Sequence, residues 1–124
     1  LGSATSAPAC LGCHSTNAPA GQRGAKFTPS DGVGCESCHG PSGGAWLAEH
    51  YALPATHASN VAAGLTPLDN PKARANVCLD CHYGSSKSGQ FVTHAMMAAG
   101  HPRVSFELDL FSALQQHHNI DADY

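Results

Sequence analysis

Along this chain apolar residues never alternate with polar ones for long enough to define a strand. Helical spacing occurs only in short stretches broken by Gly, Pro, Ser and Asn. Residues 1–9 are small and polar with one proline and read as a flexible arm. From His14 to Gly34 the chain reads as loop, with Phe27 its only large apolar residue. Gly40-Pro41-Ser42-Gly43-Gly44 predicts a tight turn. The next nine residues, Ala45 to Leu53, are helix formers that Pro54 stops, and Trp46, Leu47, His50 and Tyr51 share one face. Residues 54–70 read as loop, ending in Asn70 as an N-cap with Pro71 at the first helical position, so a helix is expected through Cys78 into His82. Gly84 to Gly89 reads as a flexible link. Phe91 to Ala99 predicts a short helix ended by Gly100, then a His101-Pro102 turn. Ser105 is the expected cap of a last helix from Phe106 to about His118, with Phe106, Leu110, Leu114 and His117 along one stripe. The expectation is a single domain over residues 1–124, mainly α with extensive irregular coil and little or no sheet.

Composition sharpens that picture. Hydrophobic residues make up 42% of the 124 positions because alanine is abundant, yet there are only four Phe, three Tyr, one Trp and two Met. A conventional core built from these would be thin. The formal charge is −3 with neutral histidine, and the six basic residues are scattered, which excludes a nucleic-acid footprint. No apolar run is long enough to span a bilayer, and the first residues lack a signal-peptide pattern, so the chain reads as a processed, exported product.

The cysteines carry the chemistry. All six fall in three copies of one pentapeptide: Cys10-Leu11-Gly12-Cys13-His14, Cys35-Glu36-Ser37-Cys38-His39 and Cys78-Leu79-Asp80-Cys81-His82. With nine His in the chain, a His follows a chosen position roughly 7% of the time, so three coincidences have odds of roughly four in ten thousand. Cys-x-x-Cys-His is the attachment site of c-type haem: two thiols add to the two vinyl groups and the adjacent His reaches the iron. Disulfides need no histidine, closed tetrahedral zinc sites do not divide six thiolates and three imidazoles evenly, and a thioredoxin-like redox pair needs a βαβ setting that is absent. Three covalent haems c are expected, and porphyrin faces then supply much of the missing core. Haem attachment and folding should be coupled. The maturation chemistry places the chain in the periplasm or outside the cell. Ionised propionates make the assembled molecule more acidic than its sequence, so docking should depend on salt.

His14, His39 and His82 are the proximal ligands by position. Six histidines remain for three sixth positions, which favours bis-histidine ligation and low potentials over the lone pair Met96-Met97. His50 ranks first, sharing a face with Trp46 and Tyr51. His94 and His101 are further candidates, and Gly100 lets His101 turn toward a different porphyrin. Of the adjacent His117 and His118, one is expected to serve as a ligand or propionate partner, because helical neighbours point about 100° apart; His118 is taken as the ligand. His57 is expected in a solvent-exposed loop. Arg74 and Arg103 are the candidate propionate partners.

The segments Gly32-Val33-Gly34-Cys35-Glu36-Ser37-Cys38-His39-Gly40-Pro41 and Ala98-Ala99-Gly100-His101-Pro102-Arg103-Val104-Ser105-Phe106-Glu107-Leu108 resemble multihaem c-type cytochromes of the cytochrome c554-like group. The resemblance spans roughly residues 10–118. It implies a mainly helical and irregular fold around closely packed haems, a periplasmic or surface location, and electron transfer with redox partner proteins through mostly bis-His irons. It also implies distal roles for His50 and His101. Relatives often carry four or more haems, against three motifs here. Two functions are weighed: an electron relay, not an enzyme, with neighbouring copies of itself as further partners in a haem chain; and a small haem enzyme reducing or oxidising a nitrogen or sulfur oxyanion at an open iron, with His57, His117 or His118 as proton donor.

Overall fold

The computed structural model describes residues 2–43, 46–52, 54–86 and 89–116. Seven short helices run along these residues: α1 (Pro8–His14), α2 (Glu36–His39), α3 (Trp46–Tyr51), α4 (His57–Ala62), α5 (Pro71–Leu79), α6 (His94–Ala98) and α7 (Leu108–Leu114). Single 3₁₀ turns lie at Ala20–Gln22 and Pro29–Asp31, and α5 continues into a π turn over Asp80–Gly84. Among the described residues no strand forms, and an isolated antiparallel bridge joins Ser85 to Gln90. The molecule is mainly helix and coil, as the spacing of apolar residues implied.

Local chemistry explains most boundaries. Proline at the first turn starts α1 at Pro8, so the expected arm is shorter than residues 1–9. Asn70 caps α5 as expected, its side chain accepting from the backbone N–H of Lys72 and Ala73 at 2.9 and 3.2 Å. Gly100 has φ +100° and closes the turn after α6. The helix expected from Phe91 is shorter, because Thr93 accepts from Met96 N–H and so starts α6 at His94.

Three expectations need correction. Residues 54–70 hold a helix: Thr56 and Ser59 form a reciprocal capping box that opens α4. The expected link over 84–89, of which residues 87 and 88 lie outside the described residues, is bracketed by Ser85 N donating to Gln90 O at 2.6 Å and Gln90 N to Ser85 O at 3.0 Å. The last helix is capped by Glu107, whose carboxylate accepts from Asp109 N and Leu110 N, so Ser105 and Phe106 lie outside it. The stripe expected on that helix is also not its packed face: Leu110 and Leu114 are 56% and 70% exposed, whereas Phe106 and Phe111 pack on each other at 5.8 Å. His117 falls outside the described residues, as does the expected end near His118.

Among the described residues the buried hydrophobic side chains are Trp46, Leu65 and Met96. Asn60 on α4 is completely buried, its side-chain Nδ2 donating to Thr56 O at 3.0 Å while its backbone carbonyl accepts from Leu65 N. α3 packs on α4, and α2 packs on α5. Three apolar side chains are far fewer than a chain of this length needs for an independent core.

Candidate haem-binding site

Two residues between paired cysteines bring both thiols to one side of a helical turn, with the histidine next in line. The first motif lies wholly within α1. The second begins at Cys35, immediately before α2, and ends at His39. The third starts on α5 at Cys78 and crosses into the π turn, which widens the backbone at Cys81 and His82. None of the six cysteines is in a disulfide. Among the described residues no three or more His, Cys, Asp or Glu side chains converge as a metal-holding group.

Residues from all three motifs meet at one open cleft of about 1010 Å³, among them Gly12 and Cys13, Glu36 and Ser37, and Asp80 and Cys81. Three contacts hold this arrangement. The Thr16 hydroxyl accepts from Gly34 N at 2.9 Å and from the Ser37 hydroxyl at 3.2 Å. A Cβ at Gly34 would stand 3.0 Å from that oxygen, which accounts for the glycine. The Gln90 amide donates to Gly12 O and lies 3.5 Å from Cys81 Sγ. The third contact is the packing of α2 on α5.

Burial pushes the Cys81 thiol up to about 12, with neighbouring Cys13, then Asp80 and Cys38 adding to the rise. Cys38 keeps an exposed face, yet its thiol is also raised, by loss of water first and then by Cys78 and Cys35.

The histidines show what the cluster can hold. His82 Nδ1 lies 2.8 Å from the carbonyl oxygen of Ser105. A carbonyl only accepts, so in the neutral ring Nδ1 carries the proton and Nε2 keeps its lone pair for a metal. Phe106 and Phe111 flank the same ring at 5.9 and 5.1 Å. His101 is oriented in the same way by Pro102 O, 2.8 Å from its Nδ1. The His14 and His101 rings stand 6.2 Å apart between centroids with 60° between their planes. A metal–imidazole bond is about 2 Å, so two imidazoles on opposite sides of one metal place their centroids roughly 6 Å apart. The structure thus brings together the rings of two residues 87 positions apart in the sequence.

His50 reaches the second motif through a shared neighbour: Trp46 lies 6.3 Å from both the His39 and the His50 rings, and its Nε1 donates to Gly40 O at 3.2 Å. Tyr51 lies 5.5 Å from His50 but is 76% exposed, so the aromatic lining expected around His50 is one-sided. His94 stands exposed at the first turn of α6 and takes part in none of these ring contacts. His118 lies outside the described residues. His57 departs from expectation: it is half-buried at the start of α4, with Nε2 3.2 Å from the Asp69 carboxylate.

A smaller cleft of about 280 Å³ holds Cys81 and His82 together with Met97 and Arg103. This puts one expected propionate partner beside the third motif. The other, Arg74, donates through Nη1 to Leu68 O at 2.6 Å, and its buried Nε has no hydrogen-bond partner among the described residues. The donor set therefore fits haem c: paired sulfurs, imidazoles oriented through Nδ1, the Arg103 guanidinium beside the third motif, and few buried apolar side chains among the described residues. Thr16, Gln90 and the Ser105 carbonyl were not legible as site residues, because each acts through a contact distant in sequence.

Residues 2–40, which contain the first two motifs, match the model of the family described as cytochrome c554 and c-prime. The Ala98–Leu108 stretch that also suggested this resemblance lies outside the match. No curated protein and no solved structure matches the chain. The match supports a c-type cytochrome with covalently bound haem c and a part in electron transfer.

Proposed function

We propose that this chain is a triheme c-type cytochrome that relays electrons outside the cytoplasm, with haems attached at Cys10/Cys13, Cys35/Cys38 and Cys78/Cys81. His14, His39 and His82 are the proximal ligands, and His101 is the distal ligand opposite His14. Bound haem supplies a one-electron ferric/ferrous couple. The chain's own residues do the rest. The Ser105 and Pro102 carbonyls hold His82 and His101 with Nε2 available, Phe106 and Phe111 pack against the His82 ring and fix its orientation, and Arg74 and Arg103 supply charge for propionates. His50 and His94 are candidates for the remaining sixth positions. Among the described residues no helix is long and apolar enough to cross a membrane, and the net negative charge favours partner proteins with basic docking faces.

The observation that carries this reading is the His14–His101 pair, because no local sequence preference would place those rings at a metal-spanning distance. Intact mass of the purified holoprotein tests it directly: three haem adducts per chain are expected, with low-spin ferric spectra and uptake of three electrons on reduction. A chain folded without haem would refute it. Stoichiometric carbon monoxide binding by the unmodified protein would instead favour an open iron and the enzyme reading.

A further inference from the structure

Gln90 joins two places that are far apart in the sequence. Its side chain spans from the Gly12 carbonyl, between the cysteines of the first motif, to the sulfur of Cys81 in the third. Its backbone is fixed by the two-hydrogen-bond bridge to Ser85, directly after the π turn that carries Cys81 and His82. Gly84 is held to that conformation: its φ is +118°, and a Cβ there would meet Gln90 O at 2.8 Å. Cys13 and Cys81 line the same cleft, and the second motif approaches the third through α2 on α5. The first and second motifs are tied differently, through the Thr16 hydroxyl and the backbone before Cys35 rather than through sulfur.

We propose that Gln90 is a positioning residue that locks the first attachment site against the third, and that the third site is the junction through which the first and second communicate. The inference rests on the triheme reading above. A bridging amide suits this role because its N–H donors serve an oxygen and a sulfur at once, without adding charge between sites whose charge changes with redox state.

The test uses the intact holoprotein and Gln90→Ala, with Gln90→Glu as a second variant that retains the side-chain length but removes the donor. Interhaem contacts are read by nuclear Overhauser cross-peaks among thioether and haem methyl groups, and individual potentials by redox titration. In the parent protein, cross-peaks should link the third haem to both others. Gln90→Ala and Gln90→Glu should each lose or weaken the first-to-third set, leave the second-to-third set intact, and shift the potential of the first or third haem. Cross-peaks joining first and second haems with the third apart would overturn the junction. A variant that unfolds more easily while cross-peaks and potentials stay put would overturn the positioning role. A protein carrying fewer than three haems would count against the triheme reading itself, and mass measured first separates that failure from these two.

Discussion

Replacing His101 with alanine tests the site most directly. The His14 and His101 rings are 6.2 Å apart, close to the roughly 6 Å span of two imidazoles sharing one metal. Alanine retracts the side chain by the full width of the ring, and no other described histidine contacts His14. The first haem should lose its sixth ligand while the other two keep theirs. About one third of the ferric haem should therefore turn high-spin in absorption and electron paramagnetic resonance, in line with one site of three. The ferrous variant should bind one carbon monoxide per chain, where the parent binds none, and added imidazole should restore the low-spin spectrum. The potential of that haem should rise, because an imidazole stabilises ferric iron. His57→Ala is the control, since its Nε2 is already engaged by Asp69 at 3.2 Å, and its spectrum should match the parent. His101→Ala with all haem still low-spin and closed to carbon monoxide would refute the pairing.

The remaining predictions concern the frame that holds the site. Trp46→Ala should cost about 3–5 kcal/mol in denaturant unfolding, because it empties one of the few buried positions; Trp46→Phe should lose only about 1 kcal/mol, from the hydrogen bond to Gly40 O. Asn70→Ala removes the side chain that satisfies two backbone donors at the start of α5 and should lower stability by about 1 kcal/mol in the same assay, with Asn70→Ser retaining most of it. The Glu36 carboxyl is held below its ordinary value of 4.5 by hydrogen bonds from the Ser42 hydroxyl and backbone N–H. A depressed folded pKa means that this contribution is complete above the ordinary value and is lost as pH falls from there through the folded one. Glu36→Gln should flatten the stability-against-pH curve below pH 4.5 and leave its shape near neutrality unchanged; an acid limb identical to the parent's would show that the Ser42 contacts do not contribute.

The amino-acid sequence by itself determined the chemistry and the grain of the fold. Cys-x-x-Cys-His is written in five consecutive residues, so the proposed attachment sites were legible without tertiary information. Asn70-Pro71 and Gly100 act within one turn of backbone, and both behaved as their local preferences dictate. Where sequence reading failed, the deciding contact was reciprocal or remote. The Thr56–Ser59 capping box turned an expected loop into α4. Glu107 displaced Ser105 as a cap because its longer side chain reaches two N–H groups, while Ser105 offers its carbonyl to His82, 23 residues away. Only the tertiary structure selected His101 as the neighbour of His14, bound His57 to Asp69, and stretched Gln90 across 78 residues to the first motif. The physical reason is the thinness of the apolar core. With three buried hydrophobic side chains among the described residues, helical periodicity carries little information about which faces meet, and specific polar contacts between distant segments decide how the three motifs converge.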